Sequence, residues 1–173
     1  MKKSIKLFIT LLLTTFIIGC SSMDKVLVLN SSVGTNLFLR NIEINLKNEQ
    51  VKHLEFDVTV NVLKGELSYN PIVNYTLTTN KKVSNESDKI IFYFENNGKR
   101  YSVIKPELMF RSFKGKNKIN TRYTSEIDMK DFDEILSNYE QVNVVLVLPD
   151  NSEILISDKR IDQKFNDLRV LAK

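Results

Sequence analysis

A chain of 173 residues with 42% hydrophobic and 27% charged residues, five glycines and three prolines has the makings of one packed globular domain. That composition excludes a disordered, collagen-like or low-complexity polymer. The excess of 25 Lys plus Arg over 21 Asp plus Glu shrinks to 22 − 21 = +1 once Lys2, Lys3 and Lys6 are set aside, too even for a nucleic-acid-binding domain.

At the N-terminus Lys2, Lys3 and Lys6 precede a short apolar stretch from Leu7 to Ile18. It falls well short of the ~20 residues that cross a bilayer, but it fits the basic and apolar regions of a secretory signal. The residues that follow, Ile17-Ile18-Gly19-Cys20, resemble the bacterial lipobox. The resemblance implies cleavage after Gly19, diacylglycerol on the Cys20 sulfur and an acyl group on the new amino terminus. Two or three acyl chains hold a protein on a membrane in effect permanently. The expected organisation is a signal peptide over 1–19, a lipidated cysteine and tether over 20–25, and a single mostly-β domain over 26–173. Ser21 to Lys25 reach at most ~20 Å, so the folded body is expected to sit against the membrane. By resemblance to lipoprotein sorting in two-membrane envelopes, Ser21, where an inner-membrane retention signal would have Asp, implies the periplasmic face of the outer membrane in such an envelope. With one membrane, the outer face of the cytoplasmic membrane is expected. Cys20 is the sole cysteine, so no thiol is left for a disulfide or a thiolate metal site.

Val26 to Leu29 read as a first strand. In "HLEFDVTVNVLKG" Leu54, Phe56, Val58, Val60 and Val62 alternate with Glu55, Asp57, Thr59 and Asn61, the pattern of a half-buried strand. Alternation resumes at Leu67, Tyr69, Val73, Tyr75 and Leu77, where Pro71 demands either a sheet edge or a break. Asn97-Gly98 is a two-residue hairpin turn. It would set Asn96 opposite Lys99, Glu95 opposite Arg100, Phe94 opposite Tyr101 and Phe92 opposite Val103. "ELMFRSF" and "INTRYTSEI" form a further pair around "KGKNK".

From Asp128 the period changes: Met129, Phe132, Ile135, Leu136 and Tyr139 share one helix face behind an Asp128 N-cap. A hairpin turning at 149–152 follows, and Ile161, Phe165, Leu168 and Leu171 mark a terminal helix. About eight short strands with turn signals between them predict an antiparallel, immunoglobulin-like β-sandwich with one mid-chain and one C-terminal helix.

Residues for catalysis are scarce. His53, the one histidine, falls on the polar face of a strand with Glu55 and no fixed partner set, so it reads as an exposed strand residue. The glycines at 65, 98 and 115 stand singly and form no phosphate loop. The acids of "EIDMKDFDE" lack the glycine of a calcium loop and read as the polar side of a helix. No catalytic residue, metal ligand or cofactor is expected beyond the lipid on Cys20. One charge feature stands out: Arg111, Lys114, Lys116, Lys118 and Arg122, with no acid among them. It suits an anionic lipid or glycan surface, or lysines that guard a sheet edge. The expected function is a non-catalytic module binding an envelope protein through a sheet edge or the loop end. One alternative is an accessory handling a lipid in a cavity lined by Phe92, Phe94 and Phe110. Another is a hydrolase with two facing carboxylates.

Overall fold

The structure, a computed structural model, describes residues 26–32, 34–138 and 141–172. Gly19, Cys20 and the tether to Lys25 lie outside the described residues, as does Tyr139. Among the described residues ten antiparallel strands form one sheet that curls into a half-barrel. Across it run β1 (Leu27–Ser31), β2 (Gly34–Asn45), β3 (Val51–Leu63), β5 (Ile72–Asn80) and β8 (Lys118–Ile127). The order continues with β7 (Lys99–Phe113), β6 (Ile91–Asn96), β9 (Val142–Val147) and β10 (Glu153–Ile156), and the two-residue β4 (Glu66–Leu67) pairs with β3. Among the described residues there are three α-helices, α1 (Lys81–Ser84), α2 (Met129–Ser137) and α3 (Lys159–Ala172), and a short 3-10 turn at Ser87–Lys89.

The immunoglobulin-like sandwich expected from the strand pattern gives way to this single sheet, and β7 is the reason. Up to Ser102 it pairs with β6; from Val103 it pairs with β8. The Asn97-Gly98 turn forms with both residues at positive φ, and Asn96–Lys99, Glu95–Arg100 and Phe94–Tyr101 face each other as expected. Val103, however, leaves Phe92 and pairs with Ile127. Register shifts between Ile104 and Glu107 and between Leu108 and Phe110 bend the strand, because a bulged strand turns and twists more steeply than its partner. One bent strand therefore carries the ladder from one arm of the sheet to the other.

The apolar phase of each arm faces inward. In β3 the residues Leu54, Phe56, Val58 and Val60 are fully buried. The arms meet through aromatic rings: Phe56 lies 5.8 Å from Phe92, and Tyr75 4.9 Å from the same ring. Pro71 breaks the chain between β4 and β5 rather than marking an edge: β5 is central, and the Pro71 carbonyl accepts from the Ile127 N–H at 3.0 Å. The mouth of the half-barrel is filled by α3, which buries Ile161, Phe165 and Leu168. Phe165 stands 5.3 Å from Phe94 and 6.0 Å from Phe132 of α2. Burying a ring of that size stabilises by about 1.5–3 kcal/mol. The α2 N-terminus is capped as expected, with the Asp128 carboxylate accepting from the Lys130 N–H at 2.8 Å.

Candidate functional site

The five basic residues singled out in the sequence do not form one patch. Side chains alternate across a strand, and the register sends Arg122 outward, opposite Thr76. There its guanidinium donates to Asp57 at 2.6 Å and to the Thr76 hydroxyl at 3.1 Å, with Glu55 at 3.9 Å. Arg111, opposite Thr121, points the other way and donates to the Ser87 hydroxyl at 3.3 Å, which the Tyr123 hydroxyl also reaches at 2.9 Å. Lys114, Lys116 and Lys118 remain exposed on the β7–β8 connection. That loop is closed by the Lys114 N–H donating to the Lys118 carbonyl at 2.8 Å, with Gly115 at φ +79 supplying the left-handed turn.

Lys114 and Lys118 meet Lys52, which carried no signal in the sequence, over an open depression of about 290 Å³ that Glu43, His53, Glu55 and Thr78 also line. His53 is engaged there with Asn45, ring nitrogen to side-chain oxygen at 3.1 Å. Glu55 is held by Asn41 at 2.5 Å, beside Arg122. The depression therefore mixes three lysines with two glutamates, of which Glu55 is engaged by Asn41 and Arg122. Among the described residues no group of three or more His, Cys, Asp or Glu side chains is placed to hold a metal ion.

A second feature lies on the same hairpin. Beyond Val103, β7 is bonded to β8 on one side, and among the described residues nothing pairs with its other side. Every residue from 104 to 118 is exposed. Phe113 is 80% exposed, Met109 55%, Leu108 53% and Phe110 47%. Such a run is an open template for strand pairing unless something blunts it. Pro106, which has no N–H, and Lys105 at φ +50 blunt its first part. From Leu108 to Phe113 there is no proline and no residue at positive φ, but the register shift between Leu108 and Phe110 and the charge of Arg111 interrupt the run.

The structure does not bring Phe92, Phe94 and Phe110 together around a cavity. Phe92 and Phe94 have no exposure and pack in the core at 5.2 Å from each other, while Phe110 stands on the edge strand. A cleft of about 490 Å³ between α2 and α3 is lined by Ile135, Val142, Phe165 and Arg169. None of those side chains forms a nucleophile–base pair. Nor do the perturbed ionisable groups converge on a cleft. Burial pushes the Tyr75 hydroxyl up, the Lys99 ammonium bonded to Glu134 holds that carboxyl down, and the Ser152 hydroxyl with the Gln50 amide holds Asp150 at about 2.

No helix among the described residues is long and apolar enough to cross a membrane. The chain matches no protein-family model, no curated protein and no solved structure.

Proposed function

We propose that the chain is an envelope lipoprotein, anchored through Cys20, whose folded body is a non-catalytic module that binds another envelope protein. The observation that carries the binding reading is the β7 edge: a run of exposed backbone from Leu108 to Phe113 with large apolar side chains beside it. An extended segment of a partner adds as a further strand, backbone bonds supplying affinity and alternate side chains supplying specificity. Leu108, Met109, Phe110 and Phe113 offer the apolar contacts. Arg111 and Lys114 select a segment that interleaves acids with its apolar residues. The anchoring reading is supported by the lipobox at Ile17-Ile18-Gly19-Cys20 behind its apolar stretch.

The test is affinity capture from solubilised envelopes with the tagged full chain, run beside Leu108→Glu, Phe110→Glu and Cys20→Ser variants. The lipid on Cys20 is read by mass spectrometry. A partner retained by the wild type and lost with either edge variant, at unchanged thermal stability, supports the module. A partner retained equally by both edge variants sinks the edge as the binding element, and an unacylated Cys20 sinks the anchor.

A further inference from the structure

The strand register collects at one end of the sheet charges that are far apart in sequence. Lys118 pairs with Asn80, Thr79 pairs with both Ile119 and Val51, and the Asn80 N–H donates to the Gln50 carbonyl at 3.0 Å. The β2–β3 connection, the start of α1 and the β7–β8 loop therefore share one rim. The first brings Lys47 and Lys52, the second Lys81 and Lys82, the third Lys114, Lys116 and Lys118. All are exposed but Lys52, which is half-buried, and none lies within ion-pair distance of a described carboxylate. Over 46–52, 80–85 and 113–118 the one acid is Glu49; Asp150, which accepts from the Gln50 amide at 2.8 Å, and Glu43 and Glu55, in the depression beside Lys52, Lys114 and Lys118, also lie at this end. The opposite rim is reversed. Asn70 donates to Glu126 at 3.2 Å and the Ile127 N–H to the Pro71 carbonyl, joining 64–71 to 126–134. Those segments hold six acids against Lys64 and Lys130.

We infer that the lysine rim is a docking face for an anionic bilayer surface, with the Phe113 ring at the headgroup boundary and the acidic rim turned away. Attraction to anionic lipid acts within a Debye length of the surface, so a cationic rim opposed by an acidic one orients the whole body. An exposed aromatic ring beside lysines is the side-chain pair that a membrane interface accepts. The chain also enters from the correct side. Leu27 pairs with Phe38 and Ser31 with Gly34, whereas Asn45 reaches the lysine rim, so β1 runs away from that rim. From Cys20 to Leu27 the chain counts as many residues as β2 does from Phe38 to Asn45, a span of about 23 Å. An anchor at Cys20 can therefore reach the plane of the rim. This last argument rests on the lipid-anchor reading; the charge arrangement does not.

The experiment uses the full chain purified from membranes and mixed with vesicles of phosphatidylcholine alone, or of phosphatidylcholine and phosphatidylglycerol in equal parts. Flotation reads binding, and an amine-reactive label followed by mass spectrometry reads the exposure of each lysine. On the anionic vesicles Lys47, Lys114, Lys116 and Lys118 should label several-fold less than on neutral ones, while Lys64 and Lys130 stay unchanged. A triple Lys114→Glu, Lys116→Glu, Lys118→Glu variant that melts like the wild type should lose the protection at Lys47. Flotation with anionic vesicles alone would overturn the anchor and leave the docking face standing. Flotation with both but without rim protection keeps the anchor and overturns the docking face; flotation with neither overturns both.

Discussion

Arg122 of β8 reaches past β5 to donate to Asp57 of β3 at 2.6 Å, and this withdraws it from the cationic surface formed by its neighbours in sequence. Asp57 also accepts from Asn74 at 2.7 Å, so three strands are tied on the outer face. Truncating one member of a charged hydrogen bond costs about 1.5–3 kcal/mol. Arg122→Ala should lower the free energy of unfolding by that amount, measured in urea. Arg122→Lys should recover only part, because a point charge cannot serve Asp57 and Thr76 together. An unchanged urea midpoint for Arg122→Ala would show that the pair contributes nothing.

Phe165 joins α3 to both the sheet and α2. Its ring has 4% exposure and contacts Phe94 and Phe132. Phe165→Ala should cost about 3–5 kcal/mol by cavity formation, whereas Val170→Ala, on the exposed side of the same helix, should change stability by less than about 0.5 kcal/mol. Equal losses would mean that α3 does not fill the mouth of the half-barrel.

Two turn glycines separate strain from clash. Gly98 sits at φ +75 with open space where a Cβ would go; Gly34 sits at φ +130, where a Cβ would lie 2.8 Å from the Val62 carbonyl oxygen. Gly98→Ala should cost about 1–2 kcal/mol from the left-handed backbone alone. Gly34→Ala should cost more, since the β3 backbone must also move. Thermal melts of the two variants decide it, and the reverse order would refute the placement of Gly34.

Acid sensitivity should have an identifiable part at the β9–β10 turn. Hydrogen bonds from Ser152 and Gln50 hold the Asp150 carboxyl at about 2, below its ordinary 3.8. A depressed value in the folded state means stability that is present above pH 3.8 and lost as pH falls toward 2. Asp150→Asn should therefore flatten the stability profile across that window and leave its shape above it unchanged. Parallel profiles for wild type and variant would show that the turn carries none of the acid response.

Much of the fold was written locally. The alternation of β3, the Asn97-Gly98 turn with its opposed Glu95 and Arg100, the Asp128 cap and the spacing of α3 all depend on residues within one turn or hairpin of each other. β2 was not legible for a local reason too. Its buried residues are Leu37 and Leu39, then Ile42 and Ile44, because the register shifts between Leu39 and Ile42 and the period-two signal changes phase there. Lys52 and Lys81 gave no signal because nothing near them in sequence shows that they share a rim with Lys118.

The sequence by itself marked β3, the Asn97-Gly98 hairpin, α2 and α3 with the apolar face of each, and it placed the one cysteine in a stretch, Ile17-Ile18-Gly19-Cys20, that resembles a lipobox. Those properties come from side-chain order over a few residues. Only the tertiary structure decided that β7 changes partner at Val103, turning an expected sandwich into one curled sheet. It also decided that Arg122 belongs to Asp57 while seven lysines from three connections share an end. These follow from register between strands dozens of residues apart, and register is set by packing the two arms around a common core rather than by any local pattern.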